Sequence, residues 1–384
     1  MSWDYKTLNE LGTVSRGRSR HRPRNDNSLF GGKYPFVQTA DVKAANFYLT
    51  DYTETYNEKG LEQSRLWKAG TLCITIAANI ADTAILGIDA CFPDSIMGFV
   101  PFEGVSNAKF IKYAFDMLQR DIKQISQGTA QDNLSWQKLE TIKFPAPDIK
   151  IQNKIVEILG TFDDLIENNQ KQIKLLEEAA QRLYKEWFID LRFPGYENCK
   201  IVDGVPEGWK IVSISDVADL KAGGDKPKDF ANTLTNECTI PVFANGITDK
   251  GLMGFTNKPA ITKPSVTISA RGTVGVVFLR REPFMPIVRL ISVTPNEEKM
   301  NVFYLYLYLA NQSFRSTGAA QQQITVPLLK NKTIMCPDEG VRKTFEMYTK
   351  TIFDKIQGLE KQTMKLIEAH DRLLPKLMSG EIEV

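Results

Sequence analysis

The chain has 384 residues, of which 42% are hydrophobic and 24% charged, and its formal net charge is +2. That length exceeds a single core, so two to three domains are expected, and the composition is ordinary for a soluble globular protein. Near-neutrality excludes a polycation, so any nucleic-acid binding has to rest on local charge. Five cysteines (Cys73, Cys91, Cys199, Cys238, Cys336) are scattered without a CxxC pair, which reads as reduced, intracellular and free of disulfides. With only two histidines, no structural or catalytic zinc site is expected.

In chain order, MSWDYKTLNELG has no apolar core after a basic start, so no signal peptide is expected there. Next comes SRGRSRHRPR, which places Arg16, Arg18, Arg20, Arg22 and Arg24 at alternate positions. In an extended loop that period would put all five on one side. Residues 1–33, Lys33 included, carry seven basic and three acidic side chains. Arginine is the side chain best suited to bidentate contact with phosphate or with guanine in the major groove. The plain alternative is a solvated, flexible loop. GTLCITIAANIADTAILGI from Gly70 contains Asn79 and Asp82 and is β-branched. It predicts two buried strands rather than a membrane span. A helix is predicted over 107–126; its Arg120 and Lys123 join the candidate contacts, with a wet helix face as the alternative. The loop from Gly128 holds Gln131 and Asn133.

Residues 151–189 form a heptad seam through Ile155, Leu159, Phe162, Ile166, Asn169, Ile173, Leu176, Ala180, Leu183 and Trp187. About 39 helical residues would run roughly 58 Å. So narrow a stripe needs a partner helix. One is available in Phe345, Thr349, Ile352, Ile356, Leu359, Thr363, Leu366, His370, Leu373 and Leu377, where the four-three stepping returns. TFDDLI from Thr161 matches IFDKI from Ile352. The polar seam residues weaken the pair but fix its register.

The stretches before the two helices also match each other. Each opens on a tryptophan (Trp3, Trp209), then has a glycine-basic loop, a Pro-led strand, a β-rich strand pair, a helix, a Gly-Ala-Gln or related loop, and a Pro-ended strand. In the second half the candidate contacts are Lys221, Lys226, Lys228, Arg271 in ARGTVG, Arg280, Arg281 and the run Gln321, Gln322, Gln323. Glutamine and asparagine can pair bidentately with adenine. The expected plan is a mixed α/β (α+β) chain with a pseudo-two-fold internal repeat. It runs as a globular domain over 1–148, a long helix over 149–190, a linker over 191–207, a second globular domain over 208–338 and a second long helix over 339–384. The two helices should pair as an antiparallel coiled coil separating two similar globular domains.

The catalytic inventory is nearly empty. No GxGxxG, Walker-type loop or GxSxG is present, nor an Asn-Pro-Pro-aromatic or Asp-Pro-Pro-aromatic tetrapeptide. Pro337-Asp338 lacks the strand context of a nuclease. Residues alone leave three readings: a DNA reader, a protein–protein scaffold that does not read DNA, and a fused DNA-modifying enzyme with an unrecognised site.

LYKEWFIDLRFPG from Leu183, VPEGW from Val205, ARGTVG from Ala270, GAAQQQI from Gly318 and LLPKLMSGEI from Leu373 together resemble the specificity subunit of type I restriction–modification systems. The first half departs from that pattern, with an arginine-rich loop where the second has a GG-x-x-P form. The resemblance implies a non-catalytic cytoplasmic subunit that binds double-stranded DNA and reads a bipartite target, one recognition domain per half-site. It implies partners: two modification (methyltransferase) subunits using S-adenosylmethionine, and two restriction subunits using ATP and Mg. No cofactor or metal is expected in this chain, and no membrane association.

Overall fold

The computed structural model describes residues 3–76, 82–126, 136–314 and 323–384, and for 120–126 and 136–138 it describes the backbone alone. It is a mixed helix-and-sheet chain that divides into two compact units. One comprises residues 1–171 and 359–384, the other residues 172–358.

In the first unit the main sheet has five strands in the order Gly12–Arg16, Ile96–Pro101, Leu72–Thr75, Thr83–Leu86, Tyr48–Leu49. The apolar run from Gly70 thus supplies two adjacent antiparallel strands, Leu72 facing Ile85, all of whose residues are buried. A second sheet pairs Phe30–Phe36 with Glu54–Tyr56 on one side and, in parallel, with Ala90–Cys91 on the other. Helix Ala108–Ser126 covers the main sheet with Phe110, Ile111, Tyr113, Ala114 and Phe115.

The second unit repeats this topology. Its main sheet runs Ala218–Ala222, Ile291–Pro295, Ser265–Ile268, Val277–Arg280, the same order over four strands. Its second sheet again contains one parallel pairing, Val242 with Met285. Helix Val302–Ala310 takes the covering place, held by Asn301, whose side chain accepts from the Tyr304 N–H at 2.7 Å. Small features recur too. Thr7 with Glu10, and Ser213 with Asp216, form capping boxes on equivalent four-residue helices. Tyr5–Thr7 pairs with Lys143–Pro145, as Lys210–Ser213 pairs with Thr333–Cys336.

Each long helix, Ile149–Tyr184 and Glu339–Met378, contributes residues to both units. Each starts behind an aspartate. Asp148 accepts from the Lys150 N–H at 2.8 Å, and Asp338 from the Val341 N–H at 3.0 Å, so both satisfy N–H groups a helix start leaves unpaired. Asp338 also accepts from Trp209 Nε1 at 3.1 Å. Its role is a cap and a dock for that tryptophan.

Within each unit the two helices run antiparallel against each other. In the first, Ile155 and Leu159 share a core with Leu373, Leu374 and Leu377, and the Asn169 amide donates to Thr363 Oγ1 at 3.3 Å. Phe162, Ile166 and Leu366 are buried or half-buried in the same unit, as is Leu359. In the second, Ile173, Leu176 and Leu183 pack with Phe345, Ile352 and Ile356. There the first helix ends in a π turn over Lys185–Ile189. The wide turn lets adjacent aromatics, Trp187 and Phe188, both point inward onto Phe345, with ring centroids at 5.5 and 4.7 Å.

Candidate nucleic-acid interface

In the first unit, Arg16 ends strand Gly12–Arg16, and the chain continues extended. Arg16, Arg18 and Arg20 are exposed while Gly17 and Ser19 between them are buried. The backbone is tied down: Gly17 N–H donates to Ile96 O at 2.8 Å, Arg18 N–H to Phe92 O at 3.0 Å, and Ser64 Oγ to Arg18 O at 2.8 Å. The approach demands glycine, because a Cβ at Gly17 would lie 2.3 Å from Pro93 O. Alternation therefore holds for three arginines, held on a fixed backbone. Among the described residues, their guanidinium groups have no hydrogen-bond or ion-pair partner.

Beyond them the chain folds back. Arg22 donates to its own loop at Ser19 O and His21 O, and Arg24 pairs with Asp94 at 2.7 Å. His21 meets Asp26 at 2.8 Å. Hydrogen bonds from Ser28, then from His21, hold the Asp26 carboxyl down to about 2. Lys33 faces Glu58 at 3.2 Å, which raises its pKa. An open groove of about 720 Å³ lies beside the loop, with Arg24, Asn25, Asn27, Phe30, Gln38 and Glu54 among its lining. Arg65, not picked out from the sequence, is exposed, stacks 3.8 Å from Trp67 and donates to Ser15 at 3.1 Å.

In the second unit the equivalent loop also begins at a tight glycine. A Cβ on Gly223 would sit 2.7 Å from the Pro286 carbonyl. Lys221, Lys226 and Lys228 are exposed. Lys221 pairs with Asp219 at 3.3 Å, and Lys226 sits 3.6 Å over the Phe230 ring. Arg271 is exposed in the loop between Ser265–Ile268 and Val277–Arg280 and donates to Gln323 Oε1 at 3.2 Å.

Two expected contacts are corrected. Arg280 is buried, at 6% exposure. It donates through Nε to Thr267 at 3.1 Å and through Nη2 to Lys250 O, and it lies 3.6 Å over Phe243. Burial lowers its pKa to about 10. Arg281 is partly buried against the second long helix, donating to Phe353 O at 3.0 Å and pairing with Asp354. Both arginines direct these donors to groups of their own unit, Arg280 from a buried position and Arg281 from a partly buried one. Gln131, Asn133, Gln321 and Gln322 lie outside the described residues, as do the side chains of Arg120 and Lys123. Among the described residues, no group of three or more His, Cys, Asp or Glu is placed to hold a metal ion, and no helix is long and apolar enough to cross a membrane.

What recurs in both units is a glycine-anchored loop carrying exposed cations at the edge of the main sheet. Such a surface suits a polyanion, and a chain with two of them suits a nucleic acid. Residues 1–178 and 206–371 match the type I restriction modification DNA specificity domain, and the chain belongs to that family of specificity subunits. Among curated relatives, it is 25% identical over 408 aligned residues to the type I restriction enzyme MjaIX specificity subunit of Methanocaldococcus jannaschii, covering 100% of this chain and 94% of the relative. It is 23% identical to the HindI specificity subunit of Haemophilus influenzae, covering 97% and 98%. Its fold is similar to that of a type I restriction-modification S subunit from M. genitalium, with a TM-score of 0.60 at 15% identity over 98% of this chain and 96% of the other.

Proposed function

We propose that this chain reads a bipartite duplex, one half-site per recognition domain, and that its helix pair sets the gap between them and docks the other subunits. The observation that carries this reading is the repeat itself. The same strand order, the same glycine-anchored cationic loop and the same aspartate-capped helix occur twice. Two readers on one face of a duplex sit about one helical turn apart, roughly 34–36 Å. A paired-helix spacer selects one gap where a loose linker would accept many.

The basic loops give sequence-independent grip, and base contacts give choice. In the assembly the chemistry belongs to partners: two modification subunits that bind S-adenosylmethionine and methylate adenine, and two restriction subunits that use ATP and Mg. This chain is the non-catalytic member.

The test is the salt dependence of duplex binding for a variant with Arg16, Arg18 and Arg20 changed to alanine. The slope of log affinity against log salt should fall by about 0.9 for each phosphate that the variant no longer neutralises. An unchanged slope and affinity would remove this loop from the interface. A parent chain that binds duplex no better than a neutral protein would leave only a protein scaffold.

A further inference from the structure

We infer that Arg289 is a specificity-determining residue of the second domain, and that Asn245 is the positioning residue that sets it; this rests on the DNA-reading assignment above. Nothing in the sequence marks Arg289, which stands alone in MPIVRLIS. Its place in the fold does.

Val288 and Arg289 are consecutive non-glycine residues with positive φ, 51° and 63°, and both are exposed. A β-branched residue there is a true outlier, and a corner of two such residues persists only where its surroundings fix it. They do. Val288 N–H donates to Gly224 O at 2.8 Å, Arg289 N–H to Gly223 O at 3.2 Å, and Gly223 N–H to Leu290 O at 2.8 Å. The corner is thus welded to the glycine-basic loop.

Asn245 completes the clamp. Its Nδ2 donates to Val288 O at 2.7 Å, and its Oδ1 accepts from the Ala270 N–H at 2.9 Å. One side-chain amide therefore fixes the residue before Arg289 and the residue before Arg271. The two arginines stand on backbones tied to the same group, in a unit whose other candidate arginines are turned inward.

Fixing distinguishes the role. A phosphate contact tolerates a mobile lysine or arginine, whereas a guanidinium that forks onto one base edge needs a defined starting point. Among the described residues, the Arg289 side chain has no hydrogen-bond or ion-pair partner, so its donors face outward from a strained, three-way anchored corner. The partner chemistry is a base edge with two adjacent acceptors, as guanine presents in the major groove.

The experiment uses the chain assembled with its modification subunits. The target is first mapped by adenine methylation, and binding is then compared between the intact site and duplexes with one pair changed in each position of both half-sites. Arg289→Ala should cost about tenfold to a hundredfold of preference at a single G·C position of one half-site. Arg289→Lys, which keeps the charge but not the fork, should lose the same preference while holding random duplex as the parent does. Asn245→Ala should lose that preference too, and adding Arg289→Ala to it should cost no more at that position.

Full preference in Arg289→Ala, or an equal loss on every duplex, would overturn the inference and leave the wider reading intact. Additive losses in the Asn245 and Arg289 pair would overturn the positioning role. A parent complex with no preference for any mapped site would overturn both readings together.

Discussion

Substituting Arg280 separates a structural arginine from a DNA contact. Its two hydrogen bonds, to Thr267 and to the Lys250 carbonyl, are charge-assisted, and such bonds contribute about 1.5–3 kcal/mol each. The Phe243 face at 3.6 Å adds about 2 kcal/mol at a desolvated site. Burial opposes them. Lowering the pKa from 12.5 to about 10 corresponds to roughly 3 kcal/mol at about 1.4 kcal/mol per unit. The balance favours the folded state by about 2–5 kcal/mol.

Arg280→Ala should therefore destabilise the second unit by about 3–5 kcal/mol, since it removes both hydrogen bonds and the ring contact and opens a cavity. Arg280→Met, which keeps the stem and sheds the charge, should cost about 1–3 kcal/mol. The pH dependence is fixed by sign. The folded pKa lies below the unfolded one, so the unfolded chain holds the proton more tightly. The cost of burying the charge is then present in full below about pH 10 and fades between about 10 and 12.5. The deficit should be flat from about pH 6 to 9. The assay is urea denaturation followed by tryptophan fluorescence, beside duplex binding under native conditions. Arg280→Met as stable as the parent but weakened on DNA would refute the assignment of this residue to the interior.

Other outcomes follow from the same kind of reasoning. Gly17→Ala puts a Cβ 2.3 Å from Pro93 O; backbone has to move, and a loss of about 2–4 kcal/mol is expected in the denaturation midpoint, with Gly223→Ala next to Pro286 behaving alike. Parent-like stability in both would show the loops are not held as described. Burial raises the Asp163 pKa, and Tyr113 donates to its carboxylate. The folded chain thus holds that proton more tightly, so the carboxyl favours folding most below its unfolded pKa, and stability falls as pH rises through the folded value. Asp163→Asn keeps the Tyr113 bond and should flatten that decline, leaving the first unit as stable as the parent or more so near neutrality. A decline unchanged by the substitution, in midpoints measured from about pH 4 to 8, would assign it to another group.

What the sequence made legible is what local periodicity encodes. Seam residues such as Ile155, Leu159 and Ile356 announce themselves because helix pairing depends on a repeat of 3.5 along one strand of chain. The doubled domain was legible because the order of loop, strand pair, helix and Pro-ended strand survives divergence. Asp338 was legible only as part of a nuclease pattern with Pro337; the structure makes it a helix cap that accepts from the Val341 N–H, a role that nothing in the sequence assigned.

The fate of each arginine was not legible. Arg280 and Arg289 carry the same side chain only nine positions apart, and one is buried while the other is exposed. Arg280 turns inward because Phe243, from the other sheet, offers it a ring face. Arg289 stays outside because a left-handed corner tied to Gly223 and Asn245 leaves it there. Both facts need residues distant in sequence to be placed first. The matched motifs make the same point. Phe162-Asp163 aligns with Phe353-Asp354, yet Asp163 takes Tyr113 while Asp354 takes Arg281. The repeat therefore preserves the backbone plan and frees the polar pairings.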